Sequence, residues 1–199
     1  MRRTIAGVVL VQLLGFLVAT VRADEISDQI ESGEKAYGAG NYSKAIEELN
    51  FAIQQINGKQ AEALKVALPQ PQAGWTAEEA TADSAGVVFG GGSVVSRRYS
   101  RGDSTVTVKF TANSPLIASM LAVFSNPMLM GAQGGKVEKV GGEKASFKYD
   151  PNDEDGQVQL VINGKLLVEV EGSDLDEKSL RDYANSIDVA ALKKQVPLE

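Results

Sequence analysis

The sequence predicts an α+β protein, an N-terminal antiparallel helical hairpin followed by an antiparallel sheet of about six strands covered by two helices. Three patterns carry this expectation. From Glu25 to about Ala67 apolar residues recur at spacings of three or four with no proline, which is the period of helices. Beyond Ser93 the period falls to two: Val106, Val108 and Phe110 alternate with Thr105, Thr107 and Lys109, as in a strand with one face buried. Arg101-Gly102-Asp103, Gly141-Gly142 and Asn163-Gly164 each interrupt a pair of strand-like runs, so those runs fold back as hairpins.

Ahead of these elements stand Arg2-Arg3, an apolar run from Ile5 to Ala19, and Val21-Arg22-Ala23. A basic start, a short apolar stretch and a small residue at its end are the parts of an export signal. The run is short for a spanning helix of about 20 residues. Residues 1–23 are therefore expected to be removed, leaving a periplasmic or secreted chain that begins at Asp24. Of the 20 Lys and Arg, Arg2, Arg3 and Arg22 lie in that leader, which leaves 17 against 26 Asp and Glu and a net charge of −9. Such a chain lacks the basic surface that displaces phosphate counterions, so nucleic acid is not its partner, and anionic lipid repels it. Cysteine and histidine are both absent. Disulfides, thiol nucleophiles, Cys/His zinc sites, imidazole bases and a lipid-modified cysteine are excluded with them.

In the first helix Ile26, Ile30, Gly33 and Tyr37 share a face; after the break at Gly38-Ala39-Gly40-Asn41, Ile46, Leu49, Ala52, Ile53 and Ile56 do so in the second. Lys59 to Val66 extends the second helix or adds a third. Gly33, Gly40-Asn41-Tyr42, Ala45-Ile46, Leu49 and Ala52 resemble one tetratricopeptide repeat over residues 25–57. The resemblance implies that small residues sit where the two helices touch. It departs from the family pattern at Gln29, Ser32 and Asn57. A lone repeat cannot bury its apolar face, so residues 24–67 need a neighbour, either the rest of the chain or a partner.

Residues 68–85 read as a linker, because Pro69, Pro71 and Gly74 block regular structure, with Trp75 as an anchor onto the second domain. Residues 86–190 form the α+β domain and 191–199 a C-terminal tail. Strands are expected over 93–100, 104–111, 136–140, 144–149, 158–162 and 165–170, with helices at 114–130 and from about Asp174, the latter placing Leu180, Tyr183, Ala184 and Ile187 on one side. This order loosely resembles PsbP-like domains.

Few residues invite chemistry. Leu116, Ile117, Met120, Leu121, Val123 and Phe124 surround most of a helix that is followed by Asn126-Pro127, Met128-Leu129-Met130 and the loose Gly131 to Gly135, so the segment reads either as buried packing or as an adaptable apolar surface; Met120, Phe124, Met128 and Met130 are the candidate partner- or ligand-binding residues. In Asp150 to Gly156 the EF-hand register fails, since its first and twelfth ligands would be Pro151 and Ile162. Ser32-Gly-Glu-Lys35 has the spacing of serine acyl enzymes but no Lys-Thr-Gly or Ser-Asp-Asn companion. The expected function is that of an exported, non-enzymatic interaction or scaffold protein holding another envelope protein, with no cofactor and no metal. The alternative is a carrier of a small apolar ligand or lipid between the sheet and the Met-rich helix. N-terminal sequencing of protein from the envelope fraction is expected to begin at Asp24; an intact Met1 on cytoplasmic protein contradicts it.

Overall fold

The computed structural model describes residues 24–83, 92–124, 126, 128 and 134–197. The leader with its cleavage site at Ala23, Gly90-Gly91 and Met130 lie outside the described residues. Helix α1 runs Glu25–Gly38 and α2 runs Tyr42–Val66, so Lys59 to Val66 continues the second helix. The Asp24 carboxylate caps α1 by accepting from the Ser27 N–H at 3.0 Å, and Lys59 of α2 donates to it at 2.8 Å. Those bonds, Lys59 first, hold its pKa down at about 2. Asn41 caps α2 in the same way, accepting from Lys44 N–H. The two helices meet through small residues: Gly33 and Ala36 on α1 and Ala45 and Ala52 on α2 are buried. A Cβ on Gly33 would stand 2.8 Å from Leu49 Cγ, so only glycine admits this approach.

Eight strands follow: β1 Thr76–Ala77, β2 Thr81–Asp83, β3 Ser93–Arg101, β4 Ser104–Ala112, β5 Lys136–Val140, β6 Glu143–Asp150, β7 Asp155–Ile162 and β8 Leu166–Ser173. All pair antiparallel in one sheet of order β1-β3-β4-β8-β7-β6-β5, with β2 also on the outer edge of β3. The class is the expected α+β, with eight strands in place of about six. The added two lie in the stretch read as a linker. Thr76 pairs with Ser100 and Ala82 with Val95, because the free edge of β3 offers hydrogen-bond partners once the chain is past Pro69 and Pro71. Trp75 is the expected anchor: it is buried, with the Arg101 guanidinium 4.7 Å from its ring centre and the Tyr183 ring edge-on at 5.0 Å. The buried Tyr99 hydroxyl donates to the Pro69 carbonyl at 2.7 Å, and burial pushes its pKa up to about 12.

The hairpin turns fall where the sequence placed them. Gly141 and Gly142 both have positive φ, as do Asn163 and Gly164, the geometry that matches the twist of antiparallel strands.

Helix α3 spans Leu116–Phe124 between β4 and β5; α4 spans Glu177–Asn185 and α5 Val189–Gln195, after β8. The closing helix is thus two, each capped by an aspartate, Asp176 and Asp188. Residues 191–199, expected as a tail, continue α5 through Gln195 and contribute the fully buried Leu192. One face of the sheet carries the core: Val95, Tyr99, Val106, Val108, Phe110, Val158, Leu160, Ile162, Val168 and Val170 meet Leu64 of α2, Leu180 and Tyr183 of α4, and Leu192 of α5. Three helices cover this face where the sequence led us to expect two over the sheet as a whole. Helix α3 lies on the other face, against β6 and β7: buried Ile117 stands outside the core cluster, as does buried Leu167, which alternates with the inward Leu166 and Val168. The edge strand β5 is tied down by Arg181 of α4, which donates to Glu138 at 2.9 Å and lies over the Phe147 ring.

Neither α1 nor the first half of α2 contributes a residue to this core; α2 docks through its C-terminal half, Ala61 and Leu64, on β2, β3 and α5. Leu64→Ala is expected to cost about 2–5 kcal/mol, read as a lower denaturant midpoint, since it opens a cavity between α2 and the sheet.

Candidate functional site

Because α2 docks only beyond Lys59, its earlier turns are free to show their apolar side. Tyr42, Ile46, Leu49, Ile53 and Ile56 follow one another at intervals of 4, 3, 4 and 3, so they form a single stripe on the helix. All five are exposed, from 40% for Leu49 to 63% for Tyr42. Ala45 and Ala52, one position before Ile46 and Ile53, turn to α1 and are buried. On α1, Ile30 and Tyr37 are exposed beside the stripe, the Tyr37 ring centre 5.8 Å from that of Tyr42. Leu49 leans over Gly33, so the two helices present one continuous apolar face.

On α2 the row directly beside the stripe is uncharged, with Glu47, which follows Ile46, one row further out. Ser43, Asn50 and Asn57 follow Tyr42, Leu49 and Ile56 by one residue each and so line one side of the stripe. Much of the hairpin's charge is paired elsewhere: Glu31 with Lys35 at 2.6 Å, Lys44 with Glu48, Asp24 with Lys59, Glu62 with Lys65. Gln29 of α1 also hydrogen-bonds Glu48 across the helix contact. Exposed pairs like these add little stability, roughly 0–1 kcal/mol each, but they fix where charge is absent.

The Met-rich segment is placed differently from either expectation. Helix α3 ends at Phe124, before Pro127, and Ile117 is the one buried residue it has. Met120 and Phe124 are half-buried, Leu116 and Leu121 are exposed, and Met128 is 80% exposed. Met130 lies outside the described residues, so the four candidates are not brought together as one described surface. An apolar helix this short is stopped from burying itself all round because the sheet offers it one side only.

Two cavities bear on the other candidates. One of about 340 Å3 is lined by Ser32, Lys35, Ala36, Ala39, Asn41, Lys44 and Glu48. The hydrogen bond from Lys35 to Glu31 raises the lysine's pKa, the opposite of what a general base for Ser32 needs. The other, about 370 Å3, lies where β6, β7 and β8 end and is lined by glycines and polar side chains, Asp150, Asp153, Asp155 and Glu171 among them. It suits no apolar ligand. Asp150 spends one oxygen on the Asn152 N–H at 2.9 Å, which lowers its pKa, and no group of three metal-ligating side chains is arranged around an ion position among the described residues.

The apolar stripe was in view as a periodic pattern, but its exposure was not. What the sequence lacked was any mark of where α2 stops touching the rest of the chain. Phe124→Ala is expected to cost about 1–2 kcal/mol, below the range for a fully buried phenylalanine, and Met128→Ala to stay within about 0.5 kcal/mol, both measured by denaturant unfolding. Comparison with family models, with curated proteins and with solved structures returns no match, so the functional reading rests on the residues themselves.

Proposed function

We propose that this chain is an exported, non-enzymatic interaction or scaffold protein of the cell envelope, and that it holds its partner on the apolar face of the α1/α2 hairpin. The distribution of exposed apolar side chains carries this reading. Of the thirteen large hydrophobic residues exposed among the described residues, nine belong to α1 and α2. The seven on the shared face are each at least 40% exposed, and contiguous exposed apolar patches mark interaction sites. A face of that size on a hairpin that does not build the core is best explained by recognition. The resemblance to a single tetratricopeptide repeat supports it, since such a unit needs a neighbour. The absence of histidine and cysteine removes the commonest nucleophiles and bases, and supports a non-enzymatic role. Arg2-Arg3, the apolar run and Ala23 support export. No described helix is long and apolar enough to cross a membrane.

The exposure of Leu116, Leu121 and Met128 favours a second reading, a small apolar ligand or lipid held at α3. Extraction and mass spectrometry of lipid from the purified protein tests it. For the first reading, a photo-crosslinking residue placed at Ile46 in living cells is expected to give protein adducts in the envelope. The same residue at Phe51, exposed on the opposite side of α2, is expected to give none. Ile53→Glu in the Ile46-labelled chain should abolish the adducts while leaving the circular dichroism native. Adducts that persist, or that form equally at Phe51, contradict the proposal.

A further inference from the structure

We propose that the occupant of this face is a second copy of this chain, packed against it through α2 in an antiparallel, two-fold arrangement. The inference rests on the interaction reading above and names its partner.

The stripe is its own complement. Its five residues are spaced almost symmetrically about Leu49: Tyr42 and Ile56 each lie seven positions away, Ile46 and Ile53 three and four. Turning a second copy about an axis through Leu49 sets Tyr42 of one against Ile56 of the other and Leu49 against Leu49, and brings Ile46 within one position of Ile53. In an isologous contact every residue meets its counterpart's partner in this way. The spacing also averages 3.5 residues, the period at which one helix keeps facing another along its length. From Tyr42 to Ile56 that length is about 21 Å at 1.5 Å per residue. The stripe stops there, one turn before Gln60, which hydrogen-bonds Asn113 at 2.8 Å, and Ala61, which enters the core. The free part of α2 is as long as the stripe and no longer.

The uncharged row beside the stripe points the same way. The exported chain is acidic, with a net charge of 17 − 26 = −9 once residues 1–23 are gone, so two copies repel unless the contact itself is neutral. Ser43, Asn50 and Asn57 border the stripe on α2 with no carboxylate among them, and their side chains can hydrogen-bond their counterparts across a two-fold axis.

The chain has no cysteine, so single introduced cysteines report the arrangement without background. Protein purified from the envelope is expected to show twice the chain mass in sedimentation equilibrium at micromolar concentration. Leu49→Cys should form a covalent dimer under mild oxidation. Tyr42→Cys alone should not, because its two copies lie at opposite ends of the contact, whereas a mixture of Tyr42→Cys and Ile56→Cys should form the heterodimer. Ile53→Glu should weaken dimerisation by about 100-fold or more, since it buries unpaired carboxylates, with native circular dichroism retained. A monomer at these concentrations overturns the proposal, and so does self-crosslinking by Tyr42→Cys, which requires parallel helices. If the protein is monomeric and the Ile46 adduct in cells is a different protein, the second copy is ruled out while the interaction reading stands. If it is monomeric and Ile46 gives no adduct, both fall.

Discussion

Strands β4 and β8 come from distant parts of the chain, and their pairing from Thr105 with Ser173 to Ala112 with Leu166 turns two separate antiparallel pieces into one sheet. On one side of that seam is the β3/β4 hairpin with its short edge strands; on the other is the meander from β5 to β8. Each piece alone would show an apolar face to water. The register is set from both faces. Inside, Val108 stands opposite Val170 and Phe110 opposite Val168; outside, the Lys109 ammonium meets the Glu169 carboxylate at 2.9 Å, and Gln159 of the next strand donates to the same carboxylate. A slip by one residue would turn the valines outward and the charged rung into the core. Few alternatives could cost more.

A single sheet has a single apolar face to cover, and α4, α5 and the last turns of α2 cover it. This leaves α1 and the first turns of α2 with no part in the core. They hold together through Gly33, Ala36, Ala45 and Ala52, where the backbones come close enough that little side-chain area is spent. Apart from the buried Ile26, the larger apolar residues of α1 and of the first turns of α2 then remain on the outside. Burial of these would gain free energy only from something beyond the fold, which is why the hairpin and not the better-packed sheet carries the functional reading.

Much of this architecture is legible in the sequence. The hairpins at Gly141-Gly142 and Asn163-Gly164 declare themselves because positive φ is demanded there, and the helical turn at Gly38 to Asn41 does so by its break in period. Strands β1 and β2 do not, being two and three residues long; they exist because β3 has an open edge, not because of their own alternation. Helix α5 is seven residues, too short to show a period, and only the Asp188 cap marks it. The Met-rich segment misleads for another reason. Apolar composition all round a helix suggests burial all round, but burial is decided by what lies nearby, and α3 has the sheet on one side. The same holds for the stripe from Tyr42 to Ile56, whose spacing would read identically whether the sheet covered it or not.

Because α2 rests on α5, the long helix made early in the chain is held by the last one, about 130 residues away. Contacts of such separation form late, after local ones have been made. The α1/α2 hairpin needs only a four-residue turn and can take shape as soon as its own residues are available. The surface on which α2 docks is made by β2, β3 and α5. The apolar face of the hairpin is thus built from local contacts and its platform from distant ones. On the proposed pairing, the concentration at which copies meet bears on how the chain folds as well as on how it pairs.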